Sequence, residues 1–295
     1  METAMNDFKE KVMQIVFLLT ASISIVAVVL ICIFLFANGC PAIKEIGLFD
    51  FLLGTEWRPG NGKFGIFPMI LGSIYITAGS LIVGVPIGIL MAIFMAWFCP
   101  KRLYKVLKPI VDLLAGIPSI VYGFFGIVVQ VPWVREFARR HFSGNTGNGN
   151  SILTASILLG IMILPTIISV SEAAIRAVPE SYYEGSLALG ATHERSVFLA
   201  AVPAAKSGIF AAIILGVGRA IGETMAVMMI AGNQPRVPDS ILQGVRTLTA
   251  NIVMEMGYAT DLHREALIAT GVVLFIFILL INLSFSILKR RSAKA

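Results

Sequence analysis

Six long apolar runs divide the chain, and charged residues gather in the segments between them. Each run accommodates a helix of about 20 residues, which crosses about 30 Å of hydrocarbon. The pattern therefore predicts an all-α integral membrane protein with six transmembrane helices. The predicted spans are Val12 to Ala37, Phe67 to Phe98, Pro109 to Trp133, Ser151 to Val170, a fifth that contains Arg219, and Ala266 to Leu288.

Composition supports this class. Hydrophobic residues make up 57% of the 295 positions, and mean hydropathy is +0.87, far from the balance of soluble domains. The net charge of +6 does not indicate nucleic acid as a partner, because the basic residues lie at segment ends, where topology signals occur. Cys32, Cys40 and Cys99 show no metal-ligand spacing and imply no disulfide framework.

Six spans put both termini on one side of the bilayer. Thirteen Lys and Arg residues lie on the side of the termini, against nine on the opposite side. Because the cytoplasmic side carries the basic excess, we predict that both termini are cytoplasmic.

The segments outside the spans suggest how the chain is divided. Residues 1–66 are predicted to form an N-terminal transmembrane helix with an extracytoplasmic loop, in which 38–63 folds as a small hairpin or interfacial helix. Residues 67–289 are predicted to form the main transmembrane domain, and 290–295 a basic cytoplasmic tail. Residues 134–150, which end in a Gly and Asn repeat, are predicted to be a flexible linker outside the bilayer.

Glycine and proline mark places where the spans pack closely or bend. Gly84 and Gly88 have the small-residue spacing that lets membrane helices approach, and Pro86 between them predicts a kink. Pro118 is one of several residues that loosen the third span. Near the start of that span, Lys108 and Asp112 have the spacing of an end-of-helix ion pair.

Two charged residues interrupt the fifth span. Uncharged sequence on both sides puts Arg219 near the centre of the bilayer, where an arginine costs at least about 2.5–3.5 kcal/mol and should face protein or water. Glu223, four residues later, is predicted to lie on the same helical face. Either the two form an internal ion pair, or they line an anion path together with Thr224, in which Arg219 offers a fork of donors to an oxyanion.

The connection from Ser171 to Lys206 predicts a helix-turn-helix on the cytoplasmic side. A short helix is expected from Pro179 to Leu189, a break at Gly190, and a second helix capped by Thr192. Pro203 is expected to redirect the chain into the membrane.

These motifs resemble those of ABC importer permeases. Glu184, Gly185 and Ser186, followed by Gly190 and Pro203, are similar to the EAA loop of these proteins, with Gly185 and Ser186 in place of two alanines. The sequences LAGIPSIVYGFFG from Leu114 to Gly126 and GRAIGETMAV from Gly218 to Val227 resemble the phosphate-specific permeases of PstC type.

The resemblance implies an ABC type I importer permease fold and a defined set of partners. They are a PstA-type sister permease, an ABC ATPase dimer, an extracytoplasmic phosphate-binding protein, inorganic phosphate and the lipid bilayer of a bacterial or archaeal cell membrane. Glu184, Gly185, Ser186 and Gly190 would contact the ATPase, while Arg219, Glu223 and Thr224 would line the path.

The chain is expected to be a transport subunit and not an enzyme. It contains no G-x-x-x-x-G-K-[ST] stretch to cradle nucleotide phosphates, so ATP-Mg should bind to the partner ATPase, and no cofactor is expected in this chain. Three alternatives remain at this stage: a permease for sulfate, molybdate or phosphonate, an ion-coupled transporter acting alone, and a non-transporting scaffold.

Overall fold

A computed structural model describes residues 2–141 and 147–292, and nearly all of the apolar sequence in these ranges is helical. The helices, in chain order, are α1 (Glu2–Ile46), α2 (Leu48–Leu53), α3 (Phe67–Ile93), α4 (Lys101–Gly116), α5 (Ser119–Phe125), α6 (Val131–His141), α7 (Ile152–Arg176), α8 (Glu180–Ala188), α9 (His193–Ser196), α10 (Val202–Ala204), α11 (Lys206–Gly222), α12 (Met225–Ile230), α13 (Leu248–Glu255) and α14 (Asp261–Ser292). π-Helical segments follow α3, α5 and α9, at Phe94–Phe98, Gly126–Gln130 and Val197–Ala201.

Long apolar helices confirm the predicted membrane fold. Five segments of the described chain are long and apolar enough to cross a bilayer, and a bent pair, His193–Ala204 with Lys206–Gly222, gives a sixth. The five are Glu10–Ile46, Phe67–Phe98, Ser119–His141, Ile152–Arg176 and Asp261–Ile287. The first, second, fourth and sixth predicted spans therefore lie within single helical segments.

Helix α7 forms the centre of the bundle, and α1 lies at its edge. In the most apolar window of α7, 67% of residues are buried, whereas none of the corresponding window of α1 is buried. Helix α3 packs closely along α7, since a Cβ atom added to Gly84 or to Gly88 would lie 2.7 Å from Ile163 or Ile167, respectively. Pro86 lies between these glycines, within α3.

The segment after the first span is more ordered than a loop. Helix α1 continues to Ile46, α2 follows, and strands β1 (Trp57–Arg58) and β2 (Lys63–Phe64) form an antiparallel hairpin in which Trp57 pairs with Phe64. The predicted hairpin and short helix are therefore both present. The buried Trp57 and Phe64 pack against Ala266 and Leu267 of α14, so the hairpin belongs to the main bundle.

The third predicted span is broken at Pro118, one of the residues expected to loosen its helix. Helix α4 ends at Gly116, Ile117 is extended (φ −69°, ψ 126°), and α5 begins after Pro118. Proline disfavours helical backbone in the preceding residue, which explains the break. Hydrogen bonds from Lys108 to Ser169 and from Gln130 to Thr154 show that the broken segment still runs antiparallel along most of α7, close to the predicted range.

The predicted linker at 134–150 is partly wrong. Helix α6 continues to His141, with Val134 and Ala138 buried. Residues 142–146 lie outside the described part of the chain. At the other end, α14 extends past the predicted limit of Leu288 to Ser292, and 293–295 of the predicted tail lie outside the described residues. All three cysteines are free, as predicted.

Candidate functional site

The fifth crossing is interrupted next to its charged residues. Helix α11 ends at Gly222, Glu223 is extended (φ −68°, ψ 124°), and α12 starts at Met225. The prediction that Arg219 and Glu223 lie on one face of a continuous helix is therefore wrong. No proline causes this break, and Gly222 was the only local sequence signal for it.

Contacts with α7 define the depth of the break. A Cβ atom on Gly208 would touch Ala174, and one on Gly216 would touch Ile167, so α11 runs antiparallel to α7. Arg219 lies almost one turn beyond Gly216, which puts it level with the middle of α7. If α7 crosses the bilayer along its length, Arg219 is near the bilayer centre, at the depth predicted from sequence.

Arg219 is not neutralised within the described part of the chain. Its side chain is partly buried, its Nε atom is buried without a hydrogen-bond partner, and it forms no ion pair with Glu223 or with another described carboxylate. The internal ion pair considered from the sequence is thus absent from this conformation. The guanidinium lies in the last turn of α11, where the helix dipole favours a cation.

The side chains of Glu223 and Thr224 form hydrogen bonds with free backbone groups at the two helix ends of the break. An Oε1 atom of Glu223 accepts a hydrogen bond from the backbone N–H of Ala226 at 3.2 Å, and the Thr224 hydroxyl donates to the carbonyl of Gly222 at 3.1 Å. Thr249 of α13 donates to the Glu223 carbonyl at 3.4 Å. These bonds replace those that a continuous helix would supply.

The break in the third span lies beside the break in the fifth. Gly123 of α5 lies against Ala226 and Met229 of α12, and Gly126 lies against Ile230. The Tyr122 hydroxyl of α5 donates to the Leu114 carbonyl at 2.9 Å, across the end of α4. Two interrupted helices therefore meet near an unpaired guanidinium.

Such an arrangement can hold an anion within a membrane. Broken transmembrane helices at the bilayer midplane form the substrate sites of many transporters, because irregular backbone supplies polar groups to a cavity. Here the guanidinium offers a planar fork of donors, and the second carboxylate oxygen of Glu223 is able to accept a hydrogen bond from the O–H group of a protonated oxyanion.

The second predicted site, on the connection between α7 and α11, is a pair of short helices. Helix α8 ends before Gly190, which has φ +84°, and the Thr192 side chain accepts a hydrogen bond from the N–H of Arg195 at the start of α9. Glu184 and Gly185 are exposed on α8. Pro203 lies in α10, directly before the 68° bend that turns the chain into α11.

Side-chain contacts fix this helix pair to the bundle. Ser196 donates to Ser186 at 3.0 Å, and the Tyr183 hydroxyl is 2.8 Å from Nδ1 of His193. The Tyr183 ring lies 4.6 Å from that of Trp97, at the end of the second span. Leu189, at the tip of the pair, is 91% exposed. The pair is thus a stiff projection with an apolar tip.

Sequence reasoning missed two buried carboxylates. Glu172, in α7, is 3% exposed and pairs with Lys108 and Arg176. Glu255, in α13, is 7% exposed and is bound by several donors. Both residues lie in segments that sequence analysis assigned to polar connections, so neither carried a signal of burial. The predicted pair of Lys108 with Asp112 is present at 3.4 Å.

Comparison with known proteins gives the family. Residues 84–294 match the family described as binding-protein-dependent transport system inner membrane component. The chain is 40% identical over 272 residues to the probable ABC transporter permease protein YqgH of Bacillus subtilis, covering 89% of this chain and 86% of that one. It is 35% identical over 276 residues to the phosphate transport system permease protein PstC of Haemophilus influenzae, covering 89% and 84%.

Solved structures agree on the fold. A bacterial ABC transporter involved in the import of alginate aligns with a TM-score of 0.61 at 16% identity, over 92% of this chain and 95% of that one. The MetNI methionine ABC transporter aligns with a TM-score of 0.55 at 20% identity, over 77% and 94%. The chain therefore belongs to the binding-protein-dependent transport system inner membrane components, and it is a permease subunit of an ABC importer.

Proposed function

We propose that this chain is a permease subunit of an ATP-driven phosphate importer in a bacterial inner membrane. It would form the translocation path together with a PstA-type sister permease, receive phosphate from an extracytoplasmic binding protein, and couple to an ABC ATPase dimer that binds ATP-Mg. Several relatives from bacteria carry the name PstC and are described as phosphate transport permeases, which supports this choice of substrate.

One observation carries the proposal: Arg219 lies unpaired at two helix breaks, level with the middle of α7. A guanidinium held at that depth is costly unless it interacts with an anion or with water. In the proposed cycle of alternating access, phosphate binds at Arg219 without first displacing a carboxylate, because Glu223 caps α12 instead. Monovalent phosphate can donate to Glu223 whereas sulfate cannot, which provides a route to selectivity.

The exposed helix pair α8 and α9 supplies the contact with the ATPase in this proposal. Glu184, Gly185, Ser186 and Gly190 would lie at or near that contact, and the exposed Leu189 offers an apolar tip to a partner groove. Closure of the ATPases would move this pair, and spans three to six would reorient around the breaks.

The test is ATP-dependent uptake of labelled phosphate by the complete complex in proteoliposomes. Arg219→Ala should lower uptake by about ten- to a hundredfold, since hydrogen bonds to a charged group contribute about 1.5–3 kcal/mol. Arg219→Lys should be intermediate, because lysine keeps the charge and loses the fork. Arg139→Ala, on the exposed part of α6, is the matched control and should leave uptake unchanged.

Glu223→Gln separates the charge of this residue from its capping role, since an amide oxygen can still accept from Ala226. Uptake should fall while the amount of assembled complex is maintained. Wild-type uptake in both Arg219→Ala and Glu223→Gln, at normal expression, would remove these residues from the path. Competition by unlabelled sulfate, molybdate and phosphonate identifies the anion: a competitor that matches phosphate would refute phosphate specificity.

A further inference from the structure

A buried carboxylate lies near the end of α7 that leads to the cytoplasmic helix pair. Glu172 is 3% exposed, and its oxygens lie 2.8 Å from Nε of Arg176 and 3.5 Å from Nζ of Lys108. Because a buried carboxylate needs partners to remain charged, these cations hold it in one position.

The partners of Glu172 belong to different helices. Lys108, in α4, also donates to Ser169 of α7 at 3.2 Å. Arg176 donates to the Met95 carbonyl in the π-helical end of the second span at 2.7 Å, and its guanidinium lies 4.8 Å from the ring centre of Tyr104 in α4. We call the side chains of Tyr104, Lys108, Glu172 and Arg176 the Glu172 joint. The joint ties α4, α7 and the end of the second span together.

Tyr104 provides a further connection between α4 and α7. The Glu172 carboxylate raises the pKa of the nearby Tyr104 phenol, because it favours the protonated hydroxyl. The phenol thus faces the same carboxylate that both cations bind. The joint is a connected polar network, and such networks hold their members in a defined arrangement.

The joint lies between the two sites described above. Arg176 is the last residue of α7, three residues before Pro179, from which α8 starts. On the other side, α4 continues as one helix from Lys108 to Gly116, where the third span breaks beside Tyr122. A displacement of α8 would therefore reach Arg176 first and pass along α4 to the break.

We propose that Glu172 is a positioning residue that transmits movement of the α8 and α9 pair to the break at Ile117 and Pro118. This inference rests on the proposed function. Glu172 does not contact the transported anion, and it acts by keeping α4 and the end of the second span attached to α7. Without its charge, the ATPase would still move the helix pair, but the movement would reach the path with less effect.

The experiment measures phosphate uptake and ATP hydrolysis in the same proteoliposomes, which contain the complete complex and the binding protein. Glu172→Gln should lower the amount of phosphate transported per ATP hydrolysed at least tenfold, while hydrolysis continues. Asp112→Asn is the matched control: Asp112 also pairs with Lys108, at 3.4 Å, but its side chain is 56% exposed. This control should leave the ratio within twofold of the wild type.

A ratio in Glu172→Gln within twofold of the wild type would overturn the inference, as would a parallel loss of uptake and hydrolysis that follows the amount of complex. If the complex with Glu172→Gln does not assemble, the same ratio is measured with Tyr104→Phe. This variant removes the phenol hydroxyl and keeps the aromatic ring under Arg176. An unchanged ratio in Tyr104→Phe would then overturn it. If the wild-type complex transports another anion and not phosphate, only the proposed substrate is refuted. The amount of that anion transported per ATP hydrolysed then tests the role of Glu172.

Discussion

At the scale of single residues, Glu255 shows how one end of the bundle is held. It accepts hydrogen bonds from Trp57 at 2.8 Å and from Arg246 at 2.6 Å, and it lies 2.9 Å from Nε2 of His263. These partners come from the hairpin, the loop before α13, and α14. One buried carboxylate therefore joins segments that are far apart in sequence, and the loss of any donor leaves part of its charge unsatisfied.

We predict that Trp57→Phe destabilises the folded chain by about 1–3 kcal/mol, because it removes a donor to a buried carboxylate while keeping an aromatic ring. The measurement is thermal unfolding of the purified protein in detergent. Trp133→Phe is the control, since Trp133 is 60% exposed, and it should change stability by less than about 0.5 kcal/mol. Equal effects of the two variants would show that the bond to Glu255 contributes nothing.

At the scale of secondary-structure elements, the positions of helix ends decide where polar groups lie. The third span breaks where Pro118 follows Ile117, and the pair of helices α8 and α9 turns where Gly190 adopts φ +84°. In both cases a residue type with special backbone geometry causes the change of direction. The break at Glu223 has a different origin, because side chains and α13 satisfy its helix ends.

The turn between α8 and α9 gives a prediction about Gly190. Gly190→Ala should destabilise the helix pair by about 1–2 kcal/mol, because other residues are strained in left-handed backbone. Gly60→Ala is the control: Gly60 lies between strands β1 and β2, its backbone is not left-handed, and no atom lies within 4 Å of an added Cβ, so alanine should leave the helix pair unchanged.

Retention of the ATPase subunits during purification measures both variants. Gly190→Ala should retain less ATPase than the wild type, and Gly60→Ala should retain as much as the wild type. A Gly190→Ala variant with normal retention and normal hydrolysis would show that the left-handed turn is not needed for this contact.

At the scale of the whole molecule, the bundle is built around α7, and α1 adds a peripheral apolar helix. The burial of α7 and the exposure of α1 follow from their neighbours, since both sequences are strongly apolar. For that reason hydropathy predicts that each helix enters the membrane and does not predict which helix is central.

The orientation in the membrane remains a prediction from the distribution of basic residues. A fluorescent protein that folds only in the cytoplasm should be bright when fused after Ala295. The same reporter fused to a chain truncated after Gly62 should be dark, because one span precedes it. A dark fusion at Ala295 together with a bright fusion at Gly62 would reverse the assigned orientation.

The amino-acid sequence determined the apolar spans, the direction change at Gly190 and the family motifs. These properties depend on the residues along one segment, such as its apolar length or the backbone freedom of one glycine. Only the tertiary structure decided that Glu223 caps α12 and does not pair with Arg219. Likewise, the burial of Glu172 and Glu255 depends on donors from distant segments, and charge along a single segment does not reveal which partners will surround it.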